Sequence, residues 1–148
     1  MSVTVDVRGA VRGLTHRDIE TFIASCLARL RAENALVRQP DEASVVFVGD
    51  ADMKRLNRAW RGKNRTTDVL TFEGDLDTPP GAPVSLGEIV ICLDQAGRQA
   101  REQQHSLATE VRYLLLHGLI HALGFDHETD DGEMNALELR MRRRVGLA

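Results

Sequence analysis

Cysteine is scarce: the 148 residues contain two, Cys26 and Cys92, far apart and outside any C-x-x-C pair. That excludes a disulfide framework and the paired thiols of redox or metal motifs, and leaves both as small core residues. No run of about 18 apolar residues is free of polar groups, so no membrane span is expected. The N-terminal MSVTVDVRGA lacks the basic start and apolar stretch of a secretory signal, and the expectation is a cytoplasmic protein with no membrane partner. Repeats and low-complexity segments are also missing. With 43% hydrophobic and 28% charged residues, the composition is globular rather than disordered or fibrous.

Acid is missing from one stretch. Lys54, Arg55, Arg58, Arg61, Lys63 and Arg65 follow one another without an intervening Asp or Glu, in a chain of net charge −3. Such a run is either a solvated face or an anion site. The last absence lies in HGLIHALGFDH, residues 117–127. His117, His121, Gly124 and His127 fall on the histidine and glycine positions of the zinc-protease pattern H-E-x-x-H-x-x-G-x-x-H, but Gly118 stands where that pattern has its catalytic glutamate.

What is present predicts one domain, residues 1–148, of α+β class, because a chain of this length can bury a core without staples. Alternation predicts strands over Val3–Val7, 43–50 (ASVVFVGD), from about Asp68 (DVLTFEGD) and over EIVICLD. Thr15 and Asp18 predict a capped helix whose Ile19, Phe22, Ile23, Cys26, Leu27 and Leu30 share one face. Asp50 is expected to cap a short helix carrying Met53, Leu56 and Trp60 inward, with the basic residues outward. A polar helix follows from about Gln95 to Gln104. Ser106 caps a helix that is apolar on nearly every side after Val111, and the last helix runs from about Asp131 to Arg144 through Met134, Leu137 and Met141. The expected architecture is a small mixed four-stranded sheet packed with about five helices around a central buried metal-binding helix.

Residues four apart on a helix share a face, so His117 and His121 can grip one ion, and a left-handed Gly124 would turn the chain so that His127 comes back as the third ligand. Three imidazoles leave a tetrahedral metal one open position for water, the catalytic rather than the structural arrangement. Imidazole suits several transition metals, and zinc, which needs no redox partner, is the default at one per chain. Asp126 either orients a ligand as a hydrogen-bond acceptor behind it or simply makes the turn.

The same residues resemble a known family. HGLIHALGFDH is similar to the histidine motif H-G-x-L-H-x-x-G-[YF]-D-H of the YbeY family, bacterial metal-dependent endoribonucleases of ribosomal RNA maturation, and departs from it only at Ile120. LNRAWRGKNRTTDVLTF, from Leu56 to Phe72, resembles its L-N-x-x-[YF]-R-x-x-x-x-x-T-D-V-L-[ST]-F, and LGEIVIC, from Leu86 to Cys92, its L-G-[DE]-I-x-I-[CS]. Asn64, Thr66 and Glu73 stand where the family often has aspartate, proline and proline, which bears on the shape of that loop. The resemblance runs from about residue 43 to the end. It implies His117, His121 and His127 as metal ligands and Arg61 as the active-site arginine near them. A planar guanidinium suits the charge that gathers on nonbridging phosphate oxygens.

On that basis the expected function is a metal-dependent, single-strand-preferring endoribonuclease of small-subunit ribosomal RNA maturation and ribosome quality control. Lys54, Arg58, Lys63 and Arg65 would contact RNA phosphates. Ribosomal RNA is the expected partner, with a small-subunit ribosomal protein or an assembly GTPase as a candidate second one. Two readings compete. The histidine spacing favours a metzincin-like metalloprotease, against which Gly118 stands. A noncatalytic ribosome assembly factor would use the metal to hold the fold and the basic face to bind RNA.

Overall fold

The computed structural model describes residues 3–33, 35–36, 39–75, 78–125 and 130–147. Among the described residues, four strands and five helices follow in the order β1 (Thr4–Arg8), α1 (His16–Ala32), β2 (Glu42–Val48), α2 (Asp50–Arg61), β3 (Val69–Glu73), β4 (Ser85–Cys92), α3 (Leu93–Gln103), α4 (Leu107–Ala122) and α5 (Glu133–Arg144). The sheet order is β1-β2-β4-β3, with β3 antiparallel to β4 and the other pairs parallel, so the α+β class and the mixed four-stranded sheet are as expected.

The strand alternation sorts the core into two layers. Ala43, Val45 and Phe47 of β2 and Ile89 and Ile91 of β4 join the core formed with α1, α4 and α5. Val90 and Cys92 of β4 and Leu70 of β3 face the other way, onto Met53 of α2. The register pairs Val45 with Ile89 and Phe47 with Ile91, so same-facing side chains sit side by side across the parallel strands. Each fully buried Leu or Ile contributes about 1.5–3 kcal/mol relative to exposure, which makes this alternation the dominant determinant of the sheet's placement.

The Thr15 hydroxyl accepts from Asp18 N at 3.0 Å while Asp18 accepts from Thr15 N at 2.9 Å, the reciprocal cap anticipated for α1. Of its apolar stripe, Ile19, Ile23, Cys26, Leu27 and Leu30 are buried and Phe22 is half-buried. Ser106 caps α4 by accepting from Thr109 N at 3.1 Å. This helix is the central buried one, packed on β3, β4, α1, α3 and α5. Cys26 and Cys92 are both free and buried, and burial pushes the Cys26 thiol up to about 12. No described helix is long and apolar enough to cross a membrane.

Four expectations need correction. β4 begins at Ser85, three residues before EIVICLD, and α3 begins at Leu93. The extra strand residues pair on both sides, Ser85 with Glu42 of β2 and Gly87 with Glu73 of β3. Asp50 is not the cap of α2: Gly49 is, and Asp50 is the first helical residue. Its carboxylate turns away to receive Arg98 on α3 at 3.0 and 2.8 Å. Finally, Trp60 is not inward but 68% exposed. Periodicity alone places it near the face of Met53, yet β3 is the edge strand, and Trp60 at the end of α2 meets Phe72 of that strand in a T-shaped contact, ring centroids 5.5 Å apart.

The Asp50–Arg98 fork ties α2 to α3 and has a predictable acid signature. Arg98, outweighing partial burial, and hydrogen bonds from Cys92 and Thr66 bring the Asp50 pKa from 3.8 to about 2. A carboxyl depressed by folding stabilises the fold above its unfolded pKa, and that contribution is lost as pH falls through the folded one. The destabilisation caused by Asp50→Asn is therefore expected in full at pH 5 and to shrink from pH 4 toward 2. A difference in melting temperature between parent and variant that is independent of pH would refute it.

Candidate functional site

The edge position of β3 builds the site. With α2 on one face of the sheet and α4 on the other, the segment 62–68 leads from α2 into this strand, and a cleft of about 270 Å³ opens there. Asn57, Arg61, Lys63, Arg65, Thr67, Asp68, His117 and His121 line it, together with Val69–Thr71 of β3. Residues some sixty positions apart in sequence thus line one cleft.

His117 and His121, one helical turn apart on α4, lie edge to face with ring centroids 5.3 Å apart. Behind them, His117 Nδ1 is 2.5 Å from Glu138 Oε1, and the other Glu138 oxygen accepts from Arg142 at 2.7 Å. Glu138 is only 8% exposed. Its hydrogen bond, outweighing burial, raises the His117 pKa, and the charge of Asp68 adds to this. For Glu138, burial is the largest single influence and acts upward. His117 and Arg142 together overcome it and leave the carboxyl below its usual range. A histidine that donates Nδ1–H to a carboxylate carries its lone pair at Nε2, the tautomer a metal ligand needs. The donor chemistry of His117 and His121 therefore fits a transition metal. His127 and Asp126, the expected third ligand and its neighbour, lie outside the described residues.

Glu138 was missed in the sequence, although a signal existed. It sits among Met134, Leu137 and Met141 at helical spacing, and a carboxylate inside an apolar stripe must have a partner. Asn57, buried at 2% exposure, was missed likewise. It follows Met53 by four residues on the inner face of α2, and its Nδ2 donates to Arg65 O at 2.9 Å, holding the segment that bears Lys63 and Arg65.

Arg61, Lys63 and Arg65 reach the cleft, but Lys54 and Arg58 do not. They line a separate hollow with Ala51, Arg55 and Asn64. The helix explains the division. Lys54 and Arg58 each follow a buried residue by one position, about 100° around the axis, whereas Arg61 follows Asn57 by four and returns to its face.

Among the described residues, Asp50, Cys92 and Asp94 are close enough to hold a cation, with potential ligand atoms within 4.8 Å of one another. Their hydrogen bonds favour another role. Both Asp50 oxygens receive Arg98, Asp94 accepts from Asp50 N at 2.9 Å, and Cys92, its thiol pKa raised chiefly by burial, donates to Asp50 at 3.3 Å. The guanidinium already supplies the positive charge.

Gly118 shows why glutamate is missing from the histidine motif. It faces β4, and a Cβ there would lie 2.8 Å from Ile89 Cγ2. A side chain here would have to displace Ile89 or lift α4 from the sheet.

Comparison with known proteins identifies the family. A family described as Endoribonuclease YbeY matches residues 6–146. Proteins named Endoribonuclease YbeY from Anaeromyxobacter sp. (strain Fw109-5) and Nautilia profundicola are each 44% identical to the chain, over 88% and 72% of it. The chain covers 65% of the first relative and 73% of the second. A Leptospira interrogans protein of the same name is 42% identical over 67% of the chain and 81% of its own length. The solution structure of TM1509 from Thermotoga maritima superposes with a TM-score of 0.63 at 26% identity, covering 96% of this chain and 89% of that one. With a match that takes in the sheet, the cleft and the helix bearing His117 and His121, the chain belongs to the Endoribonuclease YbeY family.

Proposed function

We propose that the protein is a metal-dependent endoribonuclease that prefers single-stranded RNA and acts in the cytoplasm on small-subunit ribosomal RNA, in its maturation and in ribosome quality control. The observation that carries this reading is the cleft itself, where Arg61, Lys63 and Arg65 face His117 and His121 across β3. Family membership supports the RNA substrate.

His117 and His121, with His127 as the proposed third ligand, would hold one zinc ion. When bound, zinc acts as a Lewis acid on a phosphoryl oxygen. The remaining roles belong to the chain. Glu138 fixes the His117 tautomer by accepting its Nδ1–H. Lys63 and Arg65 draw the RNA backbone into the cleft, and Asn57 keeps their segment in place. Arg61 offers a planar fork of donors to the nonbridging oxygens, whose charge grows as the phosphodiester breaks. The environment of Gly118 opposes the protease reading, because no acid can stand there without entering the sheet packing.

A second reading has one observation in its favour. Lys54, Arg55 and Arg58 form a basic hollow apart from the cleft, suited to a structured RNA or an acidic surface of a ribosomal protein or assembly GTPase. It can coexist with catalysis.

The test is metal content and RNA cleavage by the purified protein, with His117→Ala and His121→Ala as controls. About one transition metal per chain and metal-dependent cleavage are expected, both lost in the controls. Arg61→Lys keeps the charge but loses the fork, and is expected to cut cleavage more than tenfold while affinity falls less. Parental cleavage by Arg61→Lys would remove the role given to Arg61, and RNA binding without any cleavage by the parent would sink the endoribonuclease reading and leave the assembly factor.

A further inference from the structure

Trp60 is the chain's single tryptophan and is 68% exposed, an unusual place for so large an apolar side chain in a basic segment. Phe72 meets it at an interplanar angle of 74°, an edge-to-face contact that fixes the indole without covering both of its faces. The hollow beside it, about 390 Å³, is lined by Trp60, Arg61, Lys63, Leu70, Thr71 and Phe72. Of these, Arg61, Lys63, Leu70 and Thr71 also line the cleft that holds His117 and His121, so the two spaces share a wall.

We propose that Trp60, braced by Phe72, is a stacking platform for the base of a nucleotide adjoining the phosphate held at Arg61. The proposal rests on the reading of the cleft as a phosphodiester site. An exposed indole flanked by Arg61 and Lys63 suits a ligand that is both polyanionic and flat-faced. An unpaired nucleotide strand is such a ligand, whereas a duplex keeps its base faces covered by stacking. The platform therefore gives the enzyme a physical means of choosing single-stranded RNA. A phosphate at Arg61 leaves its neighbouring base within the shared wall's reach of Trp60. Stacking discriminates weakly between bases, so preference for an open strand is expected without strict sequence preference.

Because the chain has no other tryptophan, the protein carries its own probe. The full chain is titrated with a 2′-O-methyl RNA octamer of mixed sequence and with the same sequence as a duplex, following indole emission. Saturable quenching by the single strand and little by the duplex is expected. Trp60→Ala is expected to weaken octamer binding about 5- to 150-fold. Trp60→Phe should retain most of the affinity. Unlike Lys63→Ala, Trp60→Ala should leave the slope of affinity against salt unchanged, because it removes no phosphate contact. A melting temperature close to the parent's is also expected for Trp60→Ala. If that variant proves unstable, the parental quenching and Trp60→Phe decide the matter. Parental affinity in a folded Trp60→Ala, or unchanged emission on saturation with the octamer, overturns the platform while leaving the catalytic reading of the cleft intact. Failure of the parent to bind any single-stranded RNA overturns both.

Discussion

Gly118→Glu is expected to leave little folded protein rather than create a protease. A Cβ at this position lies 2.8 Å from Ile89 Cγ2, in the packed layer between α4 and β4. Overpacking of that kind costs about 1–3 kcal/mol. A carboxylate buried there without a partner adds about 3–5 kcal/mol, on the scale of a broken buried ion pair. Their sum rivals the whole stability of an ordinary domain, about 5–15 kcal/mol. Gly118→Ala separates the two causes. It meets the same contact, partly offset by the gain of about 1 kcal/mol in helix propensity, and is expected to fold with a loss of about 0–2 kcal/mol. Circular dichroism and thermal melting of both variants provide the check. A folded Gly118→Glu with the parental melting temperature would show that the close approach of α4 to the sheet is wrong, and metal-dependent proteolysis by it would reopen the metzincin reading.

Glu138→Ala is expected to damage both stability and metal binding. The carboxylate lies against His117 at 2.5 Å and Arg142 at 2.7 Å, and Arg142 Nε already lacks a hydrogen-bond partner among the described residues. Removing one partner of a buried pair strands the other, which here costs about 3 kcal/mol, toward the low end of such losses because Arg142 keeps some solvent access. The proposed metal should bind about 10- to 100-fold more weakly, since His117 loses the acceptor that fixes its tautomer. Glu138→Gln separates the effects, keeping an acceptor for His117 while removing the charge that faces Arg142. Its stability should fall nearly as far, with metal affinity closer to the parent's. Chelator-treated and metal-loaded melting curves resolve the two losses. Unchanged stability in the chelator and unchanged metal content together would mean that Glu138 does not support His117.

Much of this protein can be read locally. The caps at Thr15 and Ser106, the stripe of α1 and the alternation in β2 follow from interactions within a few residues, and the structure reproduces them. The placement of His117 and His121 on one helical face is equally local, because a spacing of four is one turn. Nothing local could show that their neighbour Gly118 meets Ile89, a residue 29 positions earlier in the chain. Glu138 and Asn57 were visible as polar residues within apolar stripes, but their partners, His117 and the carbonyl of Arg65, exist only once helix and loop have docked.

The sequence by itself determined the element types, the family resemblance and the residues proposed to bind metal and phosphate. Only the tertiary structure decided which of them meet. Because the sheet runs β1-β2-β4-β3, β3 forms an edge around which α2 and α4 can reach from opposite faces. That edge brings Arg61 to the histidines, leaves Lys54 and Arg58 on another surface and denies Trp60 a core to enter. Periodicity reports which way a side chain points from its own axis, but burial also requires something on the far side, and only the order of the strands supplies or withholds it.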